Sequence, residues 1–261
     1  MMRALSIAGT GLGSQQLSVE VIANNLANVS TVGFKKSRSE FEDLMYQTLK
    51  APGATTTTGT VPVGIQIGSG VIPVAIHRTF GQGEFQQTQN PLDMAIEGDG
   101  FFQINLPDGS TAYTRAGSFS INSEGSIVTA EGYPLLPNLS IPTNAQSITV
   151  LPTGVISAVV AGNSAPQQIG TIELARFTNP AGLNSMGKNL YQVTAGSGEA
   201  VTGAPGQEGF GTVLQGALEG SNVNIAEEMV NMIVAQRAYE LNSKAIQTTD
   251  EMLAMVNNLK R

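Results

Sequence analysis

The sequence predicts an α+β protein with helical ends, a β-rich middle domain of sandwich or barrel-like type, and an extended loop between the N-terminal helix and that domain. Three observations predict it. An apolar residue recurs every seven positions near the N-terminus, two apolar stripes run along the last forty or so residues, and short alternating runs broken by Gly, Pro and Asn fill the centre. The expected divisions are 1–45 (helical), 46–75 (extended loop), 76–218 (β-rich) and 219–261 (helical).

In the N-terminal region, Leu5, Leu12, Val19 and Leu26 are spaced by seven, and Ala8, Ile22 and Val29 occupy the intervening positions of the same frame. Such a repeat belongs to a helix that packs along another helix. Gly9, Gly11 and Gly13 weaken it, each by about 1 kcal/mol relative to Ala. Thr31-Val32-Gly33 is expected to end this helix, and Ser39 to Leu49 to form a second, short one.

The C-terminal helix, from 222 to about 259, has Asn222 or Asn224 as its cap and Glu227 and Glu228 in its first turn, where the helix dipole favours acids. One stripe runs through Ile225, Met229, Met232, Tyr239, Ile246 and Leu253, interrupted by Gln236, Ser243 and Asp250. A second runs through Val230, Ile233, Leu241, Ala245, Met252, Val256 and Leu259. Two stripes require cover from two sides. The helix would be about 55 Å long. The N-terminal helix is its natural first partner, and other copies of the chain its second.

The middle reads as strands over Val71–His77, Phe101–Leu106, Ser118–Ile121, Ser126–Ala130, Ser147–Leu151 and Ile169–Phe177. Turn chemistry marks Pro107-Asp108-Gly109, Ser123-Glu124-Gly125 and Pro152-Thr153-Gly154. Residues 51–60, Gly-, Pro- and Thr-rich, read as the extended loop.

Only 13% of residues are charged, and the net charge of −7 resides in the middle of the chain. A weakly charged surface suits self-contact, and no basic patch is present for nucleic acid. Without Cys there is no disulfide or thiolate chemistry. No apolar run is long enough to span a bilayer, and the N-terminus is too polar for a secretory signal. His77, the single His, has neither a nucleophile beside it nor the companions of a zinc site. Gly9 to Gly13 lacks the spacing of a phosphate loop. Asp93, Glu97 and Asp99 lack the spacing of a calcium loop. No enzyme activity, metal or cofactor is expected, and the absence of Trp argues against a carbohydrate cleft.

Three stretches resemble a known family. They are Ala23-Asn24-Asn25-Leu26-Ala27-Asn28-Val29 with Val32-Gly33-Phe34-Lys35-Lys36, then Asn90 to Phe102 with Tyr113-Thr114-Arg115-Ala116-Gly117-Ser118-Phe119, and last Glu219 to Asn224 with Gln236-Arg237-Ala238-Tyr239-Glu240. They are similar to the signatures of flagellar basal-body rod and hook proteins, most of all to the distal rod branch. The resemblance implies terminal helices paired as a coiled coil lining an export channel, with the β domain packed outside. It implies a helical homopolymer, the drive shaft from motor to hook, that meets proximal rod and hook proteins, the flagellar export apparatus and a ring bushing. The chain would be exported without a cleaved signal peptide and would reside in the periplasm-spanning rod. Its assembly interface would comprise Leu5, Leu12, Val19, Ile22, Asn24, Asn25, Leu26 and Asn28 on the first helix. On the second it would comprise Met229, Met232, Ile233, Gln236, Tyr239, Asn242, Ile246 and Leu253. The loop marked by Tyr46, Pro52, Gly53 and Pro62 would lie between subunits. The alternatives are a proximal rod or hook subunit of the same family and, in another class, a periplasmic binding module.

Overall fold

Met2–Ala27 form one helix, α1, and Ile225–Asn258 a second, α2, the two ends of a chain whose centre is strands. The computed structural model describes residues 2–52, 55–56, 59–60, 63–161, 165–207 and 209–258. The chain divides into two units. One contains Met1–Ala27, Ser37–Arg78 and Asn224–Arg261, the other Asn28–Lys36 and Thr79–Val223.

In the first unit α1 packs along α2 and against two strands, Ser37–Asp43 and Val71–Arg78. Asn224 caps α2: its Oδ1 accepts from the backbone N–H of Ala226 at 3.0 Å and of Glu227 at 3.3 Å. The two strands pair antiparallel, Ser37 opposite Arg78 and Asp43 opposite Val71, with an irregularity between Glu40 and Phe41. A second ribbon pairs Gln47–Lys50 with Ile65–Ile67, and a third pairs Thr55–Thr56 with Gly59–Thr60.

Two expectations fail here. α1 stops at Ala27, before Thr31-Val32-Gly33. The short helix expected over Ser39–Leu49 does not form, and strands occupy its place. Ser37-Arg38-Ser39-Glu40-Phe41 alternates between half-buried and exposed positions. That period of two matches a strand, and the partner that fixes it lies some thirty residues away in sequence.

In the second unit the turn after α1 closes on Gly33, whose φ of +69° suits glycine. A Cβ there would stand 2.6 Å from the backbone nitrogen of Ala116. The unit's principal sheet has six antiparallel strands in the order Asn184–Gly187, Leu190–Gln192, Thr111–Thr114, Phe101–Asn105, Leu174–Arg176, Val201–Gly203. A three-stranded sheet joins Ala145–Val150, Val155–Val160 and Gln167–Thr171. The span expected as one strand over Ile169–Phe177 is therefore divided between two sheets. The three turn signals join the strand pairs they flank. Among the described residues no sheet closes into a barrel. Met94, Ile96, Phe102, Ile104, Phe119, Ile156 and Leu174 form the centre of the core, each almost fully buried. Each such side chain contributes about 1.5–3 kcal/mol through burial. A smaller aromatic cluster joins Phe101, Tyr113, Phe177 and Tyr191.

Candidate functional site

The helix pair is close because its facing residues are small or polar. Ala8, Ser14, Val21 and Asn25 are the buried positions of α1. On α2, Glu228, Ala235 and Thr249 are buried. Gly11 lies so near α2 that a Cβ on it would be 3.1 Å from Nδ2 of Asn242. Asn25 Nδ2 donates to Glu228 Oε2 at 3.1 Å and to the carbonyl of Ser37 at 2.8 Å, and its Oδ1 accepts from the N–H of Ser37 at 2.9 Å. Gly11 meets Asn242 and Asn25 meets Glu228, fourteen residues further along one helix and fourteen back along the other. The helices therefore run antiparallel, in a register that holds over two heptads.

The residues expected at an interface fall into two groups. Leu5, Leu12, Val19, Ile22 and Leu26 on α1 are half-buried, as are Met232, Asn242, Ile246 and Leu253 on α2. Met229, Ile233, Gln236 and Tyr239 are exposed, as is Asn24, and Asn28 accepts from Thr31 Oγ1 at 3.1 Å. Tyr46 and Pro52 are exposed, while Gly53, Pro62, Leu259 and the side chain of Val256 lie outside the described residues.

Much apolar surface of this unit faces outward. On α2, Ile225, Met229, Val230, Ile233, Val234 and Leu241 are each at least half exposed, Leu241 to 69%. Ile72, Val74 and Ile76 on strand Val71–Arg78, and Met45, Leu49, Val63 and Ile65 around the second ribbon, are exposed as well. On α2, Ile225, Met229 and Ile233 recur at one-turn spacing, an exposed apolar stripe that marks a candidate interaction site.

The second unit holds a buried ionic knot. Lys35 Nζ lies 2.5 Å from Glu219 Oε1, with both side chains fully buried. Lys35 also donates to the carbonyl of Gly81 at 2.8 Å, and Glu219 Oε1 accepts from the N–H of Gly83 at 3.0 Å. Arg115 Nη1 reaches Glu219 Oε2 at 3.4 Å, and its Nη2 donates to the carbonyl of Gly98 at 2.9 Å. Burial pushes both cations below their ordinary range, and the Glu219 carboxylate pulls each back up. Asn222 ties down the same region. Its Oδ1 accepts from the N–H of Lys36 at 2.7 Å, and its Nδ2 donates to the carbonyls of Thr79 at 2.9 Å and Gly81 at 3.1 Å. Among the described residues there is no acidic and histidine group placed to hold a metal, and no helix is long and apolar enough to cross a membrane. His77 sits exposed on strand Val71–Arg78, opposite Arg38.

Comparison with known proteins decides the family. Residues 5–35 match the model described as flagella basal body rod protein. Residues 95–158 match the flagellar hook protein FlgE/F/G D1 domain, and residues 214–259 the flagellar basal body rod FlgEFG protein C-terminal region. The chain is 54% identical over 264 residues to the flagellar basal-body rod protein FlgG of Borreliella burgdorferi, covering 100% of both. The chain belongs to the flagellar basal-body rod family. Its FlgG relatives in Caulobacter vibrioides and Bacillus subtilis are 48% identical over 99% of this chain and 43% identical over 100% of it, each covered to 100% of its own length.

Each matched region of the rod family supplies one member of the ionic knot: Lys35 closes the first, Arg115 lies in the second and Glu219 in the third. Asn25 and Glu228 likewise join the first to the third. Sequence reasoning placed Lys35, Arg115 and Glu219 within the family's stretches and missed their chemistry. A lone Lys, Arg or Glu in sequence reads as solvated, and only the fold buries the three together.

Proposed function

We propose that this chain is the subunit of the flagellar distal rod, polymerising into the tubular drive shaft that carries torque from motor to hook. The apolar face that α2 leaves uncovered after pairing with α1 carries this reading. Ile225, Met229, Val230, Ile233, Val234 and Leu241 would be costly to leave in water, and a second copy is the economical cover. Contacts between unlike patches of identical subunits generate a helical tube when the rotation from copy to copy does not close into a ring. In that assembly α1 and α2 pair as a coiled coil around the channel, and the β-rich unit packs outside. The half-buried residues Leu5, Leu12, Val19, Ile22, Leu26, Met232, Ile246 and Leu253 complete their burial between copies. Asn24, Asn28 and Gln236 set register there, and Tyr239 and Asn242 lie at the same seam. The segment from Tyr46 through Pro52 and Gly53 to Pro62 lies between neighbouring subunits.

The role is structural, without catalysis or cofactor. Partners are further copies, the proximal rod and hook proteins at either end, the export apparatus that delivers the chain without a cleaved signal, and a ring bushing around the shaft. The test is a strain whose only copy carries Ile233→Asp, a change at an exposed position that leaves the subunit's own packing intact. The protein should be made and exported, yet no rod should extend and cells should not swim. Normal swimming overturns the reading.

A further inference from the structure

The second unit is acidic, with five Lys or Arg against eleven Asp or Glu. Its few cations are mostly committed. Lys35 is spent on Glu219, and Lys188 pairs with Glu131 at 2.8 Å. Arg115 and Arg176 both line one open cleft of about 380 Å³, walled by Phe80, Phe101 and Phe177 with Asp99 at its side. The walls are fixed: the rings of Phe80 and Phe101 meet edge to face at 5.5 Å, those of Phe101 and Phe177 at 5.6 Å. Arg115, only 4% exposed, lies with its guanidinium carbon 5.3 Å from the Phe101 ring centre. Its Nη atoms point to Glu219 and the carbonyls of Ile96 and Gly98, while its Nε has no hydrogen-bond partner among the described residues. Arg176 is exposed at the cleft; its Nη1 donates to the carbonyl of Gly209 at 3.3 Å, and its guanidinium carbon lies over the Phe210 ring, 5.8 Å from the ring centre.

A buried donor without a partner costs about 1–3 kcal/mol. Arg115 and Arg176 line the same aromatic-walled cleft, Arg176 exposed there, and a guanidinium binds a planar carboxylate through parallel hydrogen bonds. We infer that this cleft receives a side-chain carboxylate from a second copy of the chain. Charge complementarity selects that occupant. Another copy of the same acidic unit presents the exposed carboxylates Glu97, Asp108, Glu124, Glu173 and Glu199, and would repel its neighbour unless one of them met a cation. A head-to-tail contact brings unlike patches together, so the acid and the cleft need not share a face. This inference rests on the self-assembly reading above.

The test has two arms, both on the full chain. In the first, sodium benzoate is titrated into arginine-¹⁵N-labelled monomer. The Nε–H resonances of Arg115 and Arg176 should shift saturably, and Arg176→Gln should weaken binding about tenfold, the scale of one lost charge-assisted contact. In the second, assembly is followed by sedimentation and electron microscopy. Arg176→Glu should melt like the native monomer and assemble about tenfold more weakly, and a compensating Glu→Lys change at the acid located by cross-linking should restore assembly. Benzoate that moves neither resonance overturns the site. Benzoate binding together with unimpaired assembly of Arg176→Glu overturns the second copy as occupant. Either result leaves the rod reading intact, whereas failure of the native chain to assemble at all defeats that reading itself.

Discussion

Lys35 and Glu219, 184 positions apart in sequence, form a 2.5 Å ion pair with no exposure of either side chain. Glu219 is also the carboxylate that Arg115 reaches, so one acid serves two buried cations. Removing one partner of a buried pair costs about 3–5 kcal/mol, because the other charge is left without compensation. Here two are left. Glu219→Gln should lower the unfolding free energy of the chain by at least that amount, measured by urea denaturation. Lys35→Met, which leaves Arg115 with its acid, should cost less. Equal stability of Glu219→Gln and the native chain would show the knot to be solvated in solution.

Asn25 joins α1 to α2 through Glu228 and to the strand that follows through Ser37. Asn25→Leu would strand the Glu228 carboxylate and both backbone groups of Ser37. The expected loss is about 1–3 kcal/mol, read as a fall in the melting of the helical signal by circular dichroism. Glu228→Gln keeps an acceptor for the amide and should cost far less. If the two variants melt alike, the hydrogen bond does not set the pairing of the helices.

The three early glycines are not equivalent. A Cβ at Gly9 or Gly13 meets nothing within 4 Å, whereas at Gly11 it meets the Asn242 amide. Gly9→Ala and Gly13→Ala should each add about 1 kcal/mol to the helix of the free subunit. Gly11→Ala should gain less, because the Asn242 side chain must give way. Helicity by circular dichroism decides it, and an equal gain at all three positions would place α2 further from α1 than described.

The helix pair buries few large apolar side chains: Ala8, Val21 and Ala235 are the buried apolar residues of α1 and α2 among those described. The second unit has the cores around Phe102 and Phe101. Local opening should therefore be easier in the helices. Limited proteolysis of dilute monomer should cut within α1 and α2 before it cuts between Thr79 and Val223. Initial cleavage inside the second unit, with both helices intact, contradicts this.

How much of this was legible in the sequence depended on how locally each feature is determined. The seven-residue spacing of Leu5 to Leu26, and the cap at Asn224, are written within a few turns of helix and appear as expected in kind. Within the subunit, the closest packing falls on only part of that frame. Leu5, Leu12, Val19 and Leu26 are half-buried, while Ala8, Ser14, Val21 and Asn25 are buried, because closely approaching helices select small and polar residues that no hydrophobic count ranks highly. The span Ser39–Leu49 reads locally as a helix, because the partner that makes Ser37–Asp43 a strand, Val71–Arg78, lies beyond any local window. The ionic knot joins three remote segments, so its burial is a property of the fold and of no single stretch.

The ribbon of Gln47–Lys50 with Ile65–Ile67 gives the last prediction. A two-stranded hairpin is marginal alone in water. This one has Met45 exposed to 87%, Tyr46 to 55%, Leu49 to 57% and Val63 to 75%, so little within its own unit holds it. Ordering such a segment costs about 1–2 kcal/mol per residue in backbone entropy, and in the proposed assembly the compensating burial comes from another copy. Removing residues 51–62 should therefore leave the melting temperature of the isolated subunit unchanged. The rod assembled from that variant should differ in bending stiffness, curvature or length when measured by electron microscopy, because a contact between neighbours is gone. If the deletion unfolds the subunit, the segment belongs to its core. If rods of normal shape and stiffness form, the segment is a passive linker and the exposed apolar residues beside it contact nothing in the shaft.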